Sequence, residues 1–206
     1  MMEPTITLSN GIKMPQLGFG TYKLGPYDDA FQAIKSALND GYRSFDTAAY
    51  YGTEPALGDA IRDSGYARKD VFITSKVWLK DAGYEQTLAG FRETLSRLET
   101  TYLDLYLIHM PIGDWQGSWK ALQSLYAAGK VRATGVANFN QEQLETLRQL
   151  GGEQPMVDQI ELHPFCQQKP LRQYLSDHNI AVEAWAPFAR GMNHLFENQQ
   201  LQKIAD

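Results

Sequence analysis

Four side chains, Asp46, Tyr51, Lys76 and His109, would make a proton-delivery device if the fold brought them together. A phenol with a pKa near ~10 is a poor acid at neutral pH. An ammonium beside it stabilises the phenolate and lowers that pKa, and a carboxylate keeps the ammonium charged and in place. An imidazole next to the phenol can donate a hydrogen bond to a carbonyl oxygen and fix its orientation. This combination suits reduction of a carbonyl, which needs an acid and a hydride. No side chain supplies hydride, so the reading implies a nicotinamide cofactor.

Taken singly, each residue has an ordinary structural explanation. Asp46 before Thr47 could cap a loop, and Lys76 beside Val77 and Trp78 could be a surface lysine lying along apolar groups. Tyr50 and Tyr51 could both be packing aromatics, and His109 before Met110-Pro111 could simply end a strand. The case for chemistry rests on where the elements place them.

Those elements alternate. Residues 1–16 read as a hairpin, with Asn10-Gly11 predicting a tight type I′ turn. Strands are then predicted at Leu17–Tyr22, Ser44–Thr47, Val71–Val77, Leu103–His109, Arg132–Asn138, Val157–Leu162 and Val182–Pro187. Between them the apolar spacing predicts helices over Asp28–Asn39, Tyr84–Leu98, Trp119–Ala128, Gln141–Leu150 and Leu171–His178. Gly41, Gly129 and Gly151 stand where left-handed caps would end three of them. Strict alternation implies parallel strands joined by helical crossovers, and strands apolar on both faces, such as Leu103-Asp-Leu-Tyr-Leu-Ile, imply a sheet covered on both sides. About seven units suit a TIM-type (β/α)8 barrel better than a doubly wound sheet, and no G-x-G-x-x-G follows the first strand, although Gly18-Phe-Gly20 comes near it. In such a barrel reacting groups lie at the carboxyl ends of the strands, which is where Asp46, Lys76 and His109 fall, with Tyr51 in the loop after the second strand.

Length and composition fit this class. The chain has 206 residues, enough for one domain with a sizeable core, 43% hydrophobic and 21% charged. The expectation is a single incomplete barrel domain over residues 1–206, since such barrels typically need ~250 residues and the chain stops about one β/α unit short, inside a helical pattern. A net charge of −5 with scattered basic residues argues against a nucleic-acid partner. No segment has the ~18 uninterrupted apolar residues of a membrane span, and the first residues lack the pattern of a signal peptide. One cysteine, Cys166, allows no internal disulfide and fits a reducing compartment, so a cytoplasmic monomer is expected. No metal site can be assembled from the four histidines.

Several blocks together resemble the aldo-keto reductase family. They are Gly18-Phe-Gly-Thr21, Gly41-Tyr-Arg-Ser-Phe-Asp-Thr-Ala-Ala-Tyr-Tyr-Gly52, Thr74-Ser-Lys-Val-Trp78, Leu103-Asp-Leu-Tyr-Leu-Ile-His109, Gly129-Lys-Val-Arg-Ala-Thr-Gly-Val-Ala-Asn-Phe139 and Gln159-Ile-Glu-Leu-His-Pro164. Pro164-Phe-Cys-Gln-Gln168 and Glu183-Ala-Trp-Ala-Pro-Phe188 are similar to the bacterial branch of diketogluconate and methylglyoxal reductases. The likeness runs from the hairpin to the last residue.

The resemblance implies NADPH-dependent reduction of small aldehydes, α-dicarbonyls or keto sugars. Tyr51 would be the acid, Lys76 its pKa-lowering partner, Asp46 the orienter of Lys76 and His109 the carbonyl-positioning donor. Asn138 and Gln159 would hold the NADP carboxamide and Trp185 would stack on its ring. Gly20, Thr21 and Asp46 would line the same pocket, and Ala186, Phe188 and Arg190 would lie along the pyrophosphate. Trp78 would wall the substrate pocket together with Tyr22 and Trp115. Three departures stand out. Ala137 replaces the usual Ser, Met110 follows the histidine where Trp is common, and the family's motif for the adenosine 2′-phosphate lies beyond residue 206. Two other readings follow from the last point: a cofactor-binding sensor or partner subunit that turns over poorly, and a fragment that folds without activity.

Overall fold

A computed structural model describes residues 4–192 and 194–205. Strands β1 (Thr5–Thr7) and β2 (Lys13–Pro15) pair antiparallel as the expected hairpin. Its turn differs from the expectation. Gly11 N–H donates to the Leu8 carbonyl at 2.8 Å and Leu8 N–H to that of Ile12 at 2.8 Å, so the loop has three residues, Ser9, Asn10 and Gly11. Only Gly11 takes positive φ, +86°, whereas a type I′ turn would need it at Asn10 as well. The additional residue moves the left-handed position onto the glycine, where it costs least.

Seven parallel strands follow: β3 (Phe19–Gly20), β4 (Ser44–Asp46), β5 (Phe72–Val77), β6 (Leu103–Ile108), β7 (Val131–Ala137), β8 (Val157–Glu161) and β9 (Ala181–Trp185). They lie in the sheet in chain order, β3-β4-β5-β6-β7-β8-β9. A doubly wound sheet reverses its strand order at a switch point; an unbroken progression is that of a barrel wall. The helices between them are α1 (Tyr27–Asn39), α2 (Glu54–Asp63), α3 (Tyr84–Leu98), α4 (Trp115–Ala127), α5 (Gln141–Leu150) and α6 (Lys169–Asp177), with α7 (Gln199–Ala205) after the last strand.

One helix, α2, goes beyond the sequence expectation. Pro55 sits in its first turn, where the missing N–H costs nothing, and Ala56, Leu57, Ala60 and Ile61 form its buried stripe. Helix α4 begins four residues earlier than expected because the Asp114 carboxylate accepts the Gly117 N–H at 2.8 Å and caps it. Helix α5 matches its expected range and starts with a capping box between Asn140 and Gln143.

The pleat divides the core into two layers. Phe45, Ile73, Tyr106, Ile108, Val136 and Ile160 face the helices, in the larger cluster. Leu105, Leu107, Ala133 and Val157 face the other way, into the barrel, and Leu8 and Met14 of the hairpin pack against them as a floor. Gly135 belongs to this interior: a Cβ there would lie 2.4 Å from the Val157 carbonyl oxygen and 2.8 Å from Leu107 Cδ2. The interior is therefore apolar and filled at one end.

Candidate active site

At the carboxyl ends of the same strands the interior turns polar. Asp46 ends β4, Lys76 is the penultimate residue of β5, and His109 follows β6, so the short strands put one polar group each at the open end. Lys76 is fully buried. Its ammonium is paired with Asp46 Oδ1, donates to the Thr47 carbonyl at 3.0 Å and reaches the Tyr51 hydroxyl at 3.3 Å. The surface-lysine explanation is thus excluded. Burial alone would lower the Lys76 pKa, but Asp46 and Tyr51 overcome it and hold the group above its ordinary value.

Tyr51 balances the other way. Burial raises its pKa more strongly than Lys76 lowers it, so the phenol keeps its proton at neutral pH. The His109 ring stands edge-on to Tyr51, with centroids 5.6 Å apart, and lies 5.0 Å from the Trp78 ring. Burial, aided by the Lys76 charge, drives its pKa down to about 3. It is a neutral imidazole, and its Nδ1 is buried with no partner among the described residues.

The loop carrying Tyr51 is anchored by hydroxyls. Thr53, ahead of α2, lies 2.7 Å from the Thr21 hydroxyl and 3.1 Å from that of Thr47, and Thr21 donates to the Asp46 carbonyl at 3.1 Å. Neither Thr47 nor Thr53 stood out in the sequence, although Thr53 preceding Glu54-Pro55 is a helix-start signal.

The expected cofactor residues gather on the next three strand ends. Gln159 Nε2 donates to Asp46 Oδ2 at 2.8 Å. Asn138, directly after β7, takes φ +64°, a left-handed conformation that asparagine tolerates better than most residues. Its amide donates to the His109 carbonyl at 3.1 Å and its Oδ1 accepts the Trp185 indole N–H at 2.8 Å. Arg190 lies over the Trp185 ring at 5.2 Å. The loop after β9 holds Ala186, Ala189 and Arg190 at φ of +49°, +50° and +54°, strained positions of a kind that cluster at ligand-binding loops. Phe188 is exposed and packs on Phe196.

Gly20 fits a cofactor as well: a Cβ there would meet nothing within 4 Å, so the protein itself does not require a glycine. With Gly20 leaving open space beside amide donors and a half-buried indole, the residues present suit a flat carboxamide-bearing ring.

Of the expected substrate residues, Tyr22 lies 4.9 Å from the Tyr51 ring and Trp78 abuts His109. Trp115, in the first turn of α4, packs edge-on against Phe139, the residue after Asn138, at 5.3 Å. Tyr50, which could have been mere packing, is half exposed and stacks on Trp78 at 4.0 Å and 21°. Glu183, in the same interior, was not singled out by its sequence context.

Residues 16–205 match the model of the aldo/keto reductase family. The chain is 46% identical over its whole length to a glyoxal reductase of Bacillus subtilis (strain 168), of which it covers 74%. It superposes on an aldo/keto reductase from Brucella melitensis with a TM-score of 0.93 at 43% identity, covering 99% of this chain and 78% of that one. A Gox0644 variant in complex with NADPH matches with a TM-score of 0.92 at 37% identity, covering 100% of this chain and 74% of that one. No helix among the described residues is long and apolar enough to cross a membrane. The chain belongs to the aldo/keto reductase family, the group of carbonyl-reducing oxidoreductases.

Proposed function

We propose that the chain reduces small aldehydes and ketones to alcohols with NADPH, and that Tyr51 is the acid. The observation that carries this reading is the contact of the buried Lys76 ammonium with both Asp46 and the Tyr51 hydroxyl. When bound, the reduced nicotinamide supplies the hydride. Gln159 and Asn138 would hold its carboxamide, Trp185 would lie against its ring, and Gly20 and Thr21 would line the same space. Ala186, Phe188 and Arg190 would lie along the pyrophosphate.

The rest is done by side chains. The neutral His109 donates a hydrogen bond to the substrate carbonyl oxygen and fixes it within reach of Tyr51. Tyr51 gives its hydroxyl proton to that oxygen as negative charge develops there. The Lys76 ammonium stabilises the phenolate that remains, and Asp46 keeps the ammonium in place. Tyr22, Tyr50 and Trp78 make an aromatic wall around the carbonyl and exclude water, which suits a small substrate such as an α-dicarbonyl, the class to which glyoxal and methylglyoxal belong. A pure cofactor binder would have no use for an acid supported in this way. We expect the chain to act as a soluble monomer.

The test follows NADPH consumption with methylglyoxal and with a simple aromatic aldehyde, for the wild type and Tyr51→Phe. Turnover that is lost in the variant supports the reading. A folded wild type that consumes no NADPH with either substrate contradicts it.

A further inference from the structure

One titratable group in the barrel interior has no part in the reaction as described. Glu183 lies on β9 in register with Gln159 of β8. Register partners in a parallel pair face the same side of the sheet, and Gln159 reaches inward to Asp46 at 2.8 Å. Glu183 therefore points into the barrel, between Ala181 and Trp185 on the same face. The residue is half-buried, yet its Oε2 is shut off from solvent and has no hydrogen-bond partner among the described residues. The charged groups facing it are Asp46 on β4 and Lys76 on β5, with the Gln159 amide alongside. Burial, reinforced by the Asp46 charge, pushes its carboxyl up to about 8. Lys76 in turn feels Glu183 as one of the negative groups that hold its proton.

We propose that Glu183 is a positioning residue for the reduction, an inward-facing carboxyl beside Gln159 whose charge decides how much of the Lys76 ammonium is left to Tyr51. The inference rests on the reading of Tyr51 as the acid. With Glu183 protonated, one carboxylate and one ammonium face each other, and the ammonium charge is shared with the phenol. When Glu183 loses its proton to solvent, two carboxylates compete for one ammonium. Tyr51 then becomes the weaker acid, because less positive charge is left to stabilise its phenolate. An edge residue that merely met water would leave Tyr51 unaffected.

The experiment titrates tyrosinate absorbance in the chain without nucleotide, for the wild type and Glu183→Gln. Each is read against its own Tyr51→Phe blank, so that Tyr51 alone is observed. Glu183→Gln is expected to make Tyr51 about tenfold more acidic, the usual size for one neighbouring charge. Glu183→Ala is expected to shift it in the same direction, and Glu183→Asp to restore wild-type behaviour. A Tyr51 midpoint that moves in neither Glu183→Gln nor Glu183→Ala overturns the proposal. Turnover gives a second readout. Wild-type kcat at saturating NADPH should fall as pH rises through about 8, and Glu183→Gln should hold its rate across that window. An alkaline limb that is the same in both also overturns it. If no form turns over NADPH, the functional reading fails and the absorbance titration alone decides the role of Glu183.

Discussion

Asp104, at the amino-terminal ends of the strands, and Asp46, at the carboxyl ends, are both carboxylates held by basic side chains inside one sheet. Asp104 is almost wholly buried, and each of its oxygens is engaged. Oδ1 meets Arg132 at 2.6 Å; Oδ2 meets Arg68 at 2.8 Å and accepts the Ile73 N–H at 3.0 Å. Arg68 is itself tied to Thr100, Val71 and Tyr102. Around Asp46 the bonding is incomplete: His109 Nδ1 and Glu183 Oε2 are buried without partners among the described residues, and the His109 and Glu183 pKa values move far from their ordinary ranges. A satisfied cluster fixes the fold, and an incompletely satisfied one keeps hydrogen-bonding capacity for a ligand. That division matches the barrel rule, with stability at one end and chemistry at the other.

Substitutions can break this contrast. The largest effect is expected for Lys76→Met, which takes the positive charge from Tyr51: kcat should fall by about 10²–10⁴-fold, the range of general acid catalysis. Steady-state kinetics would show it, and a rate within a few-fold of wild type would remove Lys76 from the mechanism. Asp104→Ala should do the opposite. It should cost about 2–3 kcal/mol by denaturant unfolding, less than a fully buried pair because both guanidinium groups reach water, with kcat per folded molecule unchanged.

A third buried carboxyl tests whether lacking partners is enough to mark function. Asp158 alternates with Gln159 on β8 and so faces the helices, and neither of its oxygens is hydrogen-bonded among the described residues. Burial pushes it up to about 8 from an ordinary 3.8. The native state therefore holds a proton that the unfolded chain releases, and stability should fall as pH rises from about 4 to about 8. Asp158→Asn should flatten that slope and be more stable than the wild type at pH 8, with unchanged kcat. A loss of activity instead would place Asp158 in the working site. The last effect concerns His109 and is confined to acid pH. Its pKa is lowered in the fold, so the unfolded chain takes up the proton first, and stability should decline as pH falls from about 6.5 to about 3. His109→Asn should remove that part of the decline in pH-dependent melting.

Much of this is legible in the sequence. The parallel strands showed as short apolar runs, and strand ends place polar residues where a barrel uses them, so Asp46, Lys76 and His109 could be grouped. Helices with a long apolar stripe, such as α3 and α5, matched to the residue at both ends. Helix α2 did not, although the start signal at Thr53-Glu54-Pro55 is there, because it is only ten residues long and two of the four side chains in its buried stripe are alanines, a weak apolar signal. The hairpin turn is one residue longer than Asn-Gly predicts, since that dipeptide serves a two-residue loop and a three-residue loop equally well. Asp104 looked like part of an apolar strand, and Glu183 entered only as the first residue of the Glu183-Ala-Trp-Ala-Pro-Phe188 block. Their roles depend on which side of the sheet each faces and on partners from other strands, as with Arg68 and Arg132 on either side of Asp104.

The most direct test of the central claim separates binding from chemistry in Tyr51→Phe. NADPH affinity is measured by quenching of tryptophan fluorescence, and reduction of methylglyoxal is followed in a single turnover with enzyme in excess. The account predicts affinity near that of the wild type and a chemical step slowed by about 10²–10⁴-fold. A variant that binds NADPH normally and still reduces the carbonyl at close to the wild-type rate would contradict it.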